Sequence, residues 1–181
     1  STIFETETKS RLHRPVTGVS TDSREIKDGD LYIAIKGDRV DGHQFLNQVL
    51  LNGAVAALVC DINNEIDIQQ IEVKDTLNTI AKIAHEWRMN FDIPIIGITG
   101  SNGKTSTKEL LSYVLSSKFK THATKGNFNT YIGLPLTLLN IEADDDISII
   151  EMGASIPGEI ENLCEIAKPT HGIITNIAPA H

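Results

Sequence analysis

The amino-acid sequence predicts an α/β protein. A small mixed α/β region, residues 1–74, leads through a linking helix, 75–92, into a parallel, doubly wound sheet, 93–181. Three observations carry that prediction. Beyond residue 92, apolar runs of strand length alternate with helical stretches, the order that lays helices against a parallel sheet. Those runs are nearly continuous in apolar residues, as in strands buried on both faces. Between the first run and its helix lies a glycine-rich stretch with Gly97, Gly100 and Gly103.

In chain order, 16–19 is a brief extended run that leads into Ser20-Thr21-Asp22-Ser23-Arg24. Lys27-Asp28-Gly29-Asp30 is a turn ahead of a strand at 31–35. Phe45, Leu46, Val49 and Leu50 fall on one face of a helix that Gly53 stops. Residues 54–59 form a buried-type strand. Asp75 caps a long helix whose apolar stripe is Leu77, Ile80, Ala81, Ala84, Trp87 and Phe91. There follow a strand at 93–99, a helix at 105–115, a strand at 119–122, a helix near 134–139, a strand at 147–152, a helix at 157–167 and a strand at 172–177. Pro157 suits the first position of its helix, where a missing N–H costs nothing. These are too few strands for a complete sheet of this kind, so the chain reads as the front part of a longer protein.

Composition narrows the function. Of 181 residues, 40% are hydrophobic and 22% charged, close to the average of globular proteins. A net charge of -8 excludes a broad electrostatic grip on nucleic acid, so any bound anion must be held locally. Residues 1–11 mix acids, bases and hydroxyls without the apolar stretch of a signal peptide, and no run is long enough to span a bilayer. Cys60 and Cys164 lie far apart and read as reduced thiols, which predicts a cytoplasmic protein. Asp144-Asp145-Asp146 reads as a solvated loop, and His85 and His122 as surface or internally satisfied residues.

The strongest chemical signal is Ile95-Ile96-Gly97-Ile98-Thr99-Gly100-Ser101-Asn102-Gly103-Lys104-Thr105. Glycines after an apolar strand let backbone N–H groups surround a polyphosphate, and the helix that follows adds the positive end of its dipole. Lys104 is then placed to reach the β- and γ-phosphates, and the Thr105 hydroxyl to ligate Mg²⁺. The strict spacing of the common phosphate loop is not met, because Ile98 occupies its first glycine position. Glu151 follows the run 147–150, and His181 comes shortly after the last strand, both at the carboxyl edge of the sheet where ligands bind in open α/β folds. Either suits a metal. Taken alone, Glu151 fits a solvated strand end equally well, and His181 a surface residue.

Several stretches together resemble the Mur ligases of peptidoglycan synthesis. They are 20–24, the run 29–43, the loop 99–105, the segment Gly126-Asn127-Phe128-Asn129-Thr130-Tyr131-Ile132-Gly133-Leu134-Pro135, Glu151-Met152-Gly153-Ala154, and 176–181. The resemblance spans nearly the whole chain from about Val16. It implies an N-terminal UDP-sugar-binding domain and a central ATPase domain of which this chain holds part. A carbamylated lysine beyond His181 and a C-terminal domain would complete the enzyme, so this chain is expected to bind nucleotide weakly without ligating.

By motif, Thr21, Asp22, Ser23, Arg24, Asp41 and His43 would bind the nucleotide-sugar. Gly100, Ser101, Asn102, Gly103, Lys104, Thr105, Ser106, Asn127 and Asn129 would bind ATP. Lys104, Glu151 and His181 would be catalytic, with Thr105, Glu151 and His181 holding Mg²⁺. Thr130 stands where the family pattern has a further asparagine, and the 20–24 cluster also fits a turn capped by its own side chains. Among family members, the resemblance is greatest to those joining D-alanyl-D-alanine to UDP-N-acetylmuramoyl-tripeptide through an acyl phosphate, here as a monomer. The ligase that adds the third residue, a folylpolyglutamate synthetase and a non-catalytic ATP-binding module are the alternatives.

Overall fold

The computed structural model describes residues 2–37 and 39–178. The chain divides into two compact units, one up to Ile83 and one from Ala84 on. The first begins with α1 (Thr2–Thr8) and holds a parallel sheet in the order β1 (Gly18–Ser20), β2 (Asp30–Ile33), β3 (Ala56–Val59), β4 (Gln69–Glu72). A single turn of 3₁₀ helix, Gly42–Phe45, continues into α2 (Leu46–Leu51). Every residue of β2 and β3 is buried. Tyr32, Ala57 and Val59 pack with Leu46 and Val49 of α2, so the helical spacing of Leu46 and Val49 is the seam that seats α2 on the sheet. Gly53 stops α2 at φ +101°, where any Cβ would strike the backbone of Asp28.

Two elements have no counterpart in the sequence reading. Strand β4 carries one buried residue, Ile71, among Gln69, Gln70 and Glu72, so it lacks an apolar run. Helix α1 buries only Phe4 and Thr8. The strand expected at 16–19 forms two residues later, as Gly18–Ser20.

The unit border falls within α3 (Thr76–Met89). Asp75 caps it as expected, its Oδ1 accepting from the Asn78 N–H at 2.9 Å. In the first unit, the Thr76 hydroxyl donates to Ala34 O at 2.9 Å. In the second, Arg88 is buried and donates to Ala167 O at 2.9 Å, Lys168 O at 3.2 Å and Phe91 O at 2.9 Å. The first two are last-turn carbonyls that a helix cannot satisfy by itself. Of the expected apolar stripe, Ile80, Ala81 and Ala84 are buried, and its far end is corrected. Phe91 lies beyond the helix, edge-on to Trp87, which is 38% exposed, and Ile83 and Arg88 are buried as well.

The second unit holds β5 (Ile95–Thr99), α4 (Lys104–Leu115), β6 (Thr121–Ala123), α5 (Gly133–Leu138), β7 (Ile147–Glu151), α6 (Glu159–Ala167) and β8 (His171–Ile174). Its strands run parallel in the order β6-β7-β5-β8. The connection through α4 runs from β5 past β7 to β6, and the one through α6 runs from β7 past β5 to β8. With right-handed crossovers these adjacent strands send their helices to opposite faces. Their carboxyl ends therefore open the crevice in which such sheets bind ligands.

Helix α6 starts at Glu159, two residues after Pro157, because Gly158 at φ +90° breaks the helical path between them. The acidic stretch 144–146 is not merely solvated. Asp145 is buried and accepts from the Glu142 N–H, Asp146 accepts from the Lys120 N–H, and Lys120 Nζ donates to Asp144 and Glu142. His85 and His122 bond to Ile166 O and the Ser148 hydroxyl. Both cysteines are free thiols.

Candidate phosphate-binding site

Strand β5 delivers the chain into the loop at the carboxyl edge of the second sheet. Ile98 is wholly buried between β7 and β8, which explains why no glycine stands there. The sharp turn comes two residues later, at Gly100, with φ +135°. A Cβ at this position would lie 2.2 Å from Thr175 Oγ1 and 2.9 Å from Asn176 O, so only glycine fits. Gly103, at φ +80°, starts α4 in the left-handed conformation.

One side of the loop is braced by the segment after β8. The Ser101 N–H donates to Asn176 O at 3.1 Å, and the Asn102 N–H to Asn176 Oδ1 at 2.8 Å. Thr175 Oγ1 donates to Asn102 O at 2.5 Å, and Ser101 Oγ to Ala178 O at 2.7 Å. The other side is the start of α4, whose first N–H groups have no carbonyl within the helix to bond and carry its positive dipole end. Lys104 curls back over the loop, its Nζ donating to Gly100 O at 2.6 Å.

The loop is joined to the next strand by a small polar cluster. Glu151 ends β7, and its Oε1 accepts from the Thr105 hydroxyl at 3.2 Å and from Asn129 Nδ2 at 2.8 Å. The residue is only 2% exposed, yet Oε2 has no hydrogen-bond partner among the described residues. A buried carboxylate oxygen without a donor is costly unless a cation satisfies it. Hard oxygen donors from a carboxylate and a hydroxyl are the set that suits Mg²⁺. Among the described residues, no group of three or more His, Cys, Asp or Glu side chains is arranged to hold a metal ion.

Asn129 is held by its backbone: its N–H donates to Asn127 O and its carbonyl accepts from the Gly153 N–H, each at 2.8 Å. A Cβ on Gly153 would crowd the Asn129 amide at 3.3 Å. Asn127, Ser106 and Thr105 are exposed. His181 lies outside the described residues. Sequence reasoning missed Thr175 and Asn176 as loop braces. It also missed Thr124, buried at 2%, whose hydroxyl accepts from the Glu151 N–H at 3.0 Å. Only the packing of β6 and β8 exposes these roles.

In the first unit, Asp22 and Arg24 form a paired turn. Asp22 Oδ1 accepts from the Arg24 backbone N–H and from Nε, each at 2.9 Å, and Oδ2 pairs with the guanidinium at 2.5 Å. The Arg24 bonds hold the Asp22 carboxyl down at about 2. Ser23 is buried, with its hydroxyl on Gln48 and its carbonyl accepting from Asn52 Nδ2. Thr21, half-buried, follows β1. Both His43 nitrogens serve the fold. Nε2 accepts from the Cys60 N–H at 2.8 Å, which puts the ring proton on Nδ1, facing Asp41 Oδ1 at 2.6 Å.

A glycine-rich loop closing on a buried carboxylate, carried by a four-stranded parallel sheet that follows another of four strands, is the arrangement of nucleotide-binding α/β proteins. Two family profiles match the chain, one described as the Mur ligase middle domain over residues 98–181 and one as the Mur ligase family, catalytic domain, over residues 15–91. The chain belongs to the Mur ligase family.

It is 46% identical over 169 residues to the UDP-N-acetylmuramoyl-tripeptide–D-alanyl-D-alanine ligase of Synechocystis sp., covering 92% of this chain and 37% of that protein. A crystal structure of MurF from Acinetobacter baumannii superposes with a TM-score of 0.92 at 33% identity, covering 99% of this chain and 41% of that one. MurF from Thermotoga maritima in complex with ADP superposes with a TM-score of 0.78 at 40% identity, covering 88% of this chain and 37% of that one. The chain thus spans well under half the length of these relatives.

Proposed function

We infer that this chain is the nucleotide-sugar and phosphate-loop portion of an ATP-dependent amide ligase that joins D-alanyl-D-alanine to UDP-N-acetylmuramoyl-tripeptide. The observation that carries the reading is the buried Glu151, with one carboxylate oxygen unpartnered, beside Thr105 at the start of the phosphate loop. The relatives named for this reaction support the substrates, and the relative solved with ADP supports ATP as the phosphoryl donor.

In this reading residues 93–181 hold ATP and residues 1–74 hold the UDP-sugar, linked by 75–92. Asp22 and Arg24, with Thr21 and Ser23 beside them, present a rigid polar turn to the nucleotide-sugar, and Asp41 and His43 shape the same unit. Lys104 leaves Gly100 O to meet the phosphates, and the first N–H groups of α4 hold their oxygens. Asn127 and Asn129 lie along the nucleotide. Thr105 and Glu151, with His181, would hold Mg²⁺, which when bound neutralises charge on the phosphates.

In the reaction, an oxygen of the tripeptide's terminal carboxylate attacks the γ-phosphorus, the bond to ADP breaks, and an acyl phosphate forms. The amine of D-alanyl-D-alanine then attacks the acyl carbon, loses a proton and expels inorganic phosphate. Two anions must meet in the first step, which is why Lys104 stands at the loop. The reading carries with it a cytoplasmic monomer. Among the described residues no helix is long and apolar enough to cross a membrane.

The test is calorimetric titration of the chain with a non-hydrolysable ATP analogue and Mg²⁺, together with a ligation assay on the protein that contains it. One-to-one binding that Lys104→Ala abolishes, and formation of the UDP-linked pentapeptide, are the expected results. Binding that survives Lys104→Ala would sink the assignment of the loop.

A further inference from the structure

Helix α4 carries a second lysine, this one buried, that the site described above does not use. Lys108 is 2% exposed, one turn beyond Lys104, and its Nζ donates to Thr124 O at 2.7 Å and pairs with Glu109 Oε1 at 2.9 Å. Glu109 is largely exposed, so its charge is screened by solvent and compensates the ammonium poorly. An apolar side chain of similar length would fill the space at lower cost if packing were the only demand.

The position of Thr124 explains the choice. It follows β6 directly, and its backbone N–H donates to Ile149 O at 2.9 Å. Its hydroxyl accepts from the Glu151 N–H at 3.0 Å. Lys108 therefore grips the residue that holds the backbone of Glu151. At helical spacing, Lys104, Thr105 and Lys108 occupy about 100° of one face of α4. One face of a single helix thus presents the phosphate lysine, the hydroxyl that meets Glu151, and the anchor for the strand end that bears Glu151.

We propose that Lys108 is a positioning residue, which through Thr124 fixes Glu151 against Thr105 and so sets how strongly the site couples Mg²⁺ to nucleotide. This rests on the function proposed above, with Lys108 touching neither metal nor nucleotide.

The experiment measures ADP binding to the chain by calorimetry, in EDTA and at saturating Mg²⁺, and takes the ratio of the two dissociation constants as the metal coupling. Groups that orient metal ligands change metal affinity by about 10–100-fold when removed, so Lys108→Met is expected to cut this ratio about tenfold or more. The affinity in EDTA stays within about twofold, since the phosphate contacts remain. Lys108→Arg keeps a donor toward Thr124 O and recovers part of the ratio. Thr124→Val breaks the link from its other end and gives the same loss, and the double variant is no worse than either single one.

Equal losses with and without metal would show a merely structural lysine and overturn the proposal, as would an unchanged ratio in a folded Lys108→Met. If Lys108→Met does not fold, Thr124→Val decides by the same ratio. A wild-type chain that binds ADP without any gain from Mg²⁺ would instead sink the metal assignment on which the proposal stands.

Discussion

Replacing Gly100 by alanine is a stringent test of the loop geometry. At φ +135° an L side chain is strained, which costs about 1–3 kcal/mol. The new Cβ would also meet Thr175 Oγ1 at 2.2 Å and the Asn176 backbone at 2.9 and 3.0 Å. A hydroxyl can rotate away, but two backbone atoms cannot, so overpacking adds about 1–3 kcal/mol. The sum is about 2–6 kcal/mol, and at roughly 4 °C per kcal/mol for a unit of this size the melting point falls by about 8–24 °C.

Two other glycines calibrate the number. Gly103 is also left-handed, at φ +80°, but its nearest neighbour would be 3.9 Å away, so Gly103→Ala costs only the backbone strain, about 1–2 kcal/mol. Gly172 is neither left-handed nor crowded, and Gly172→Ala is expected to be neutral within about 0.5 kcal/mol. Thermal and urea unfolding followed by circular dichroism would rank the three. If Gly100→Ala proved no less stable than Gly103→Ala, the close packing of residues 175 and 176 on the loop would be wrong.

Glu151→Gln removes a buried charge with an unpartnered oxygen, so the chain should melt a few degrees higher, about 1 kcal/mol, while losing the Mg²⁺-dependent gain in nucleotide affinity. A clear drop in melting point would contradict this. The Asp22 carboxyl is held at about 2 against an ordinary 3.8, so Arg24→Ala should return its carbon-13 titration midpoint toward 3.8. A depressed carboxyl pKa stabilises above its unfolded value, so this contribution is present at neutral pH and fades between about pH 4 and pH 2. Burial pushes the His122 imidazole below its ordinary 6.5, so the unfolded chain binds that proton more tightly and stability declines as pH falls below 6.5. Urea midpoints measured at pH 7.5 and 5.5 should therefore lie closer together in His122→Asn than in the wild type.

Strands β2, β3, β5 and β7 were legible because their apolar runs match burial on both faces, and α4 because a glycine-rich turn and GKT precede it. Strand β4 was not, since its stability comes from pairing with β3 rather than from its own Gln and Glu side chains. Lys104, Thr105, Glu151 and Asn129 were each named from sequence, and the structure brings the last three together. Asn176, Thr175, Thr124 and Lys108 were not singled out as site residues, because each acts through a backbone atom of a strand or loop distant in sequence. No local pattern encodes such a bond.

The capping of α6 by Arg88 has a consequence for synthesis. The carbonyls it closes lie 79 and 80 residues downstream. On a ribosome adding about 5–20 residues per second, that guanidinium waits roughly 4–16 s for its acceptors. The Thr76 end of the same helix finds Ala34 already made. Helix α3 is thus completed in two instalments, its front turn with the nascent first unit and its rear turn only once Lys168 has emerged.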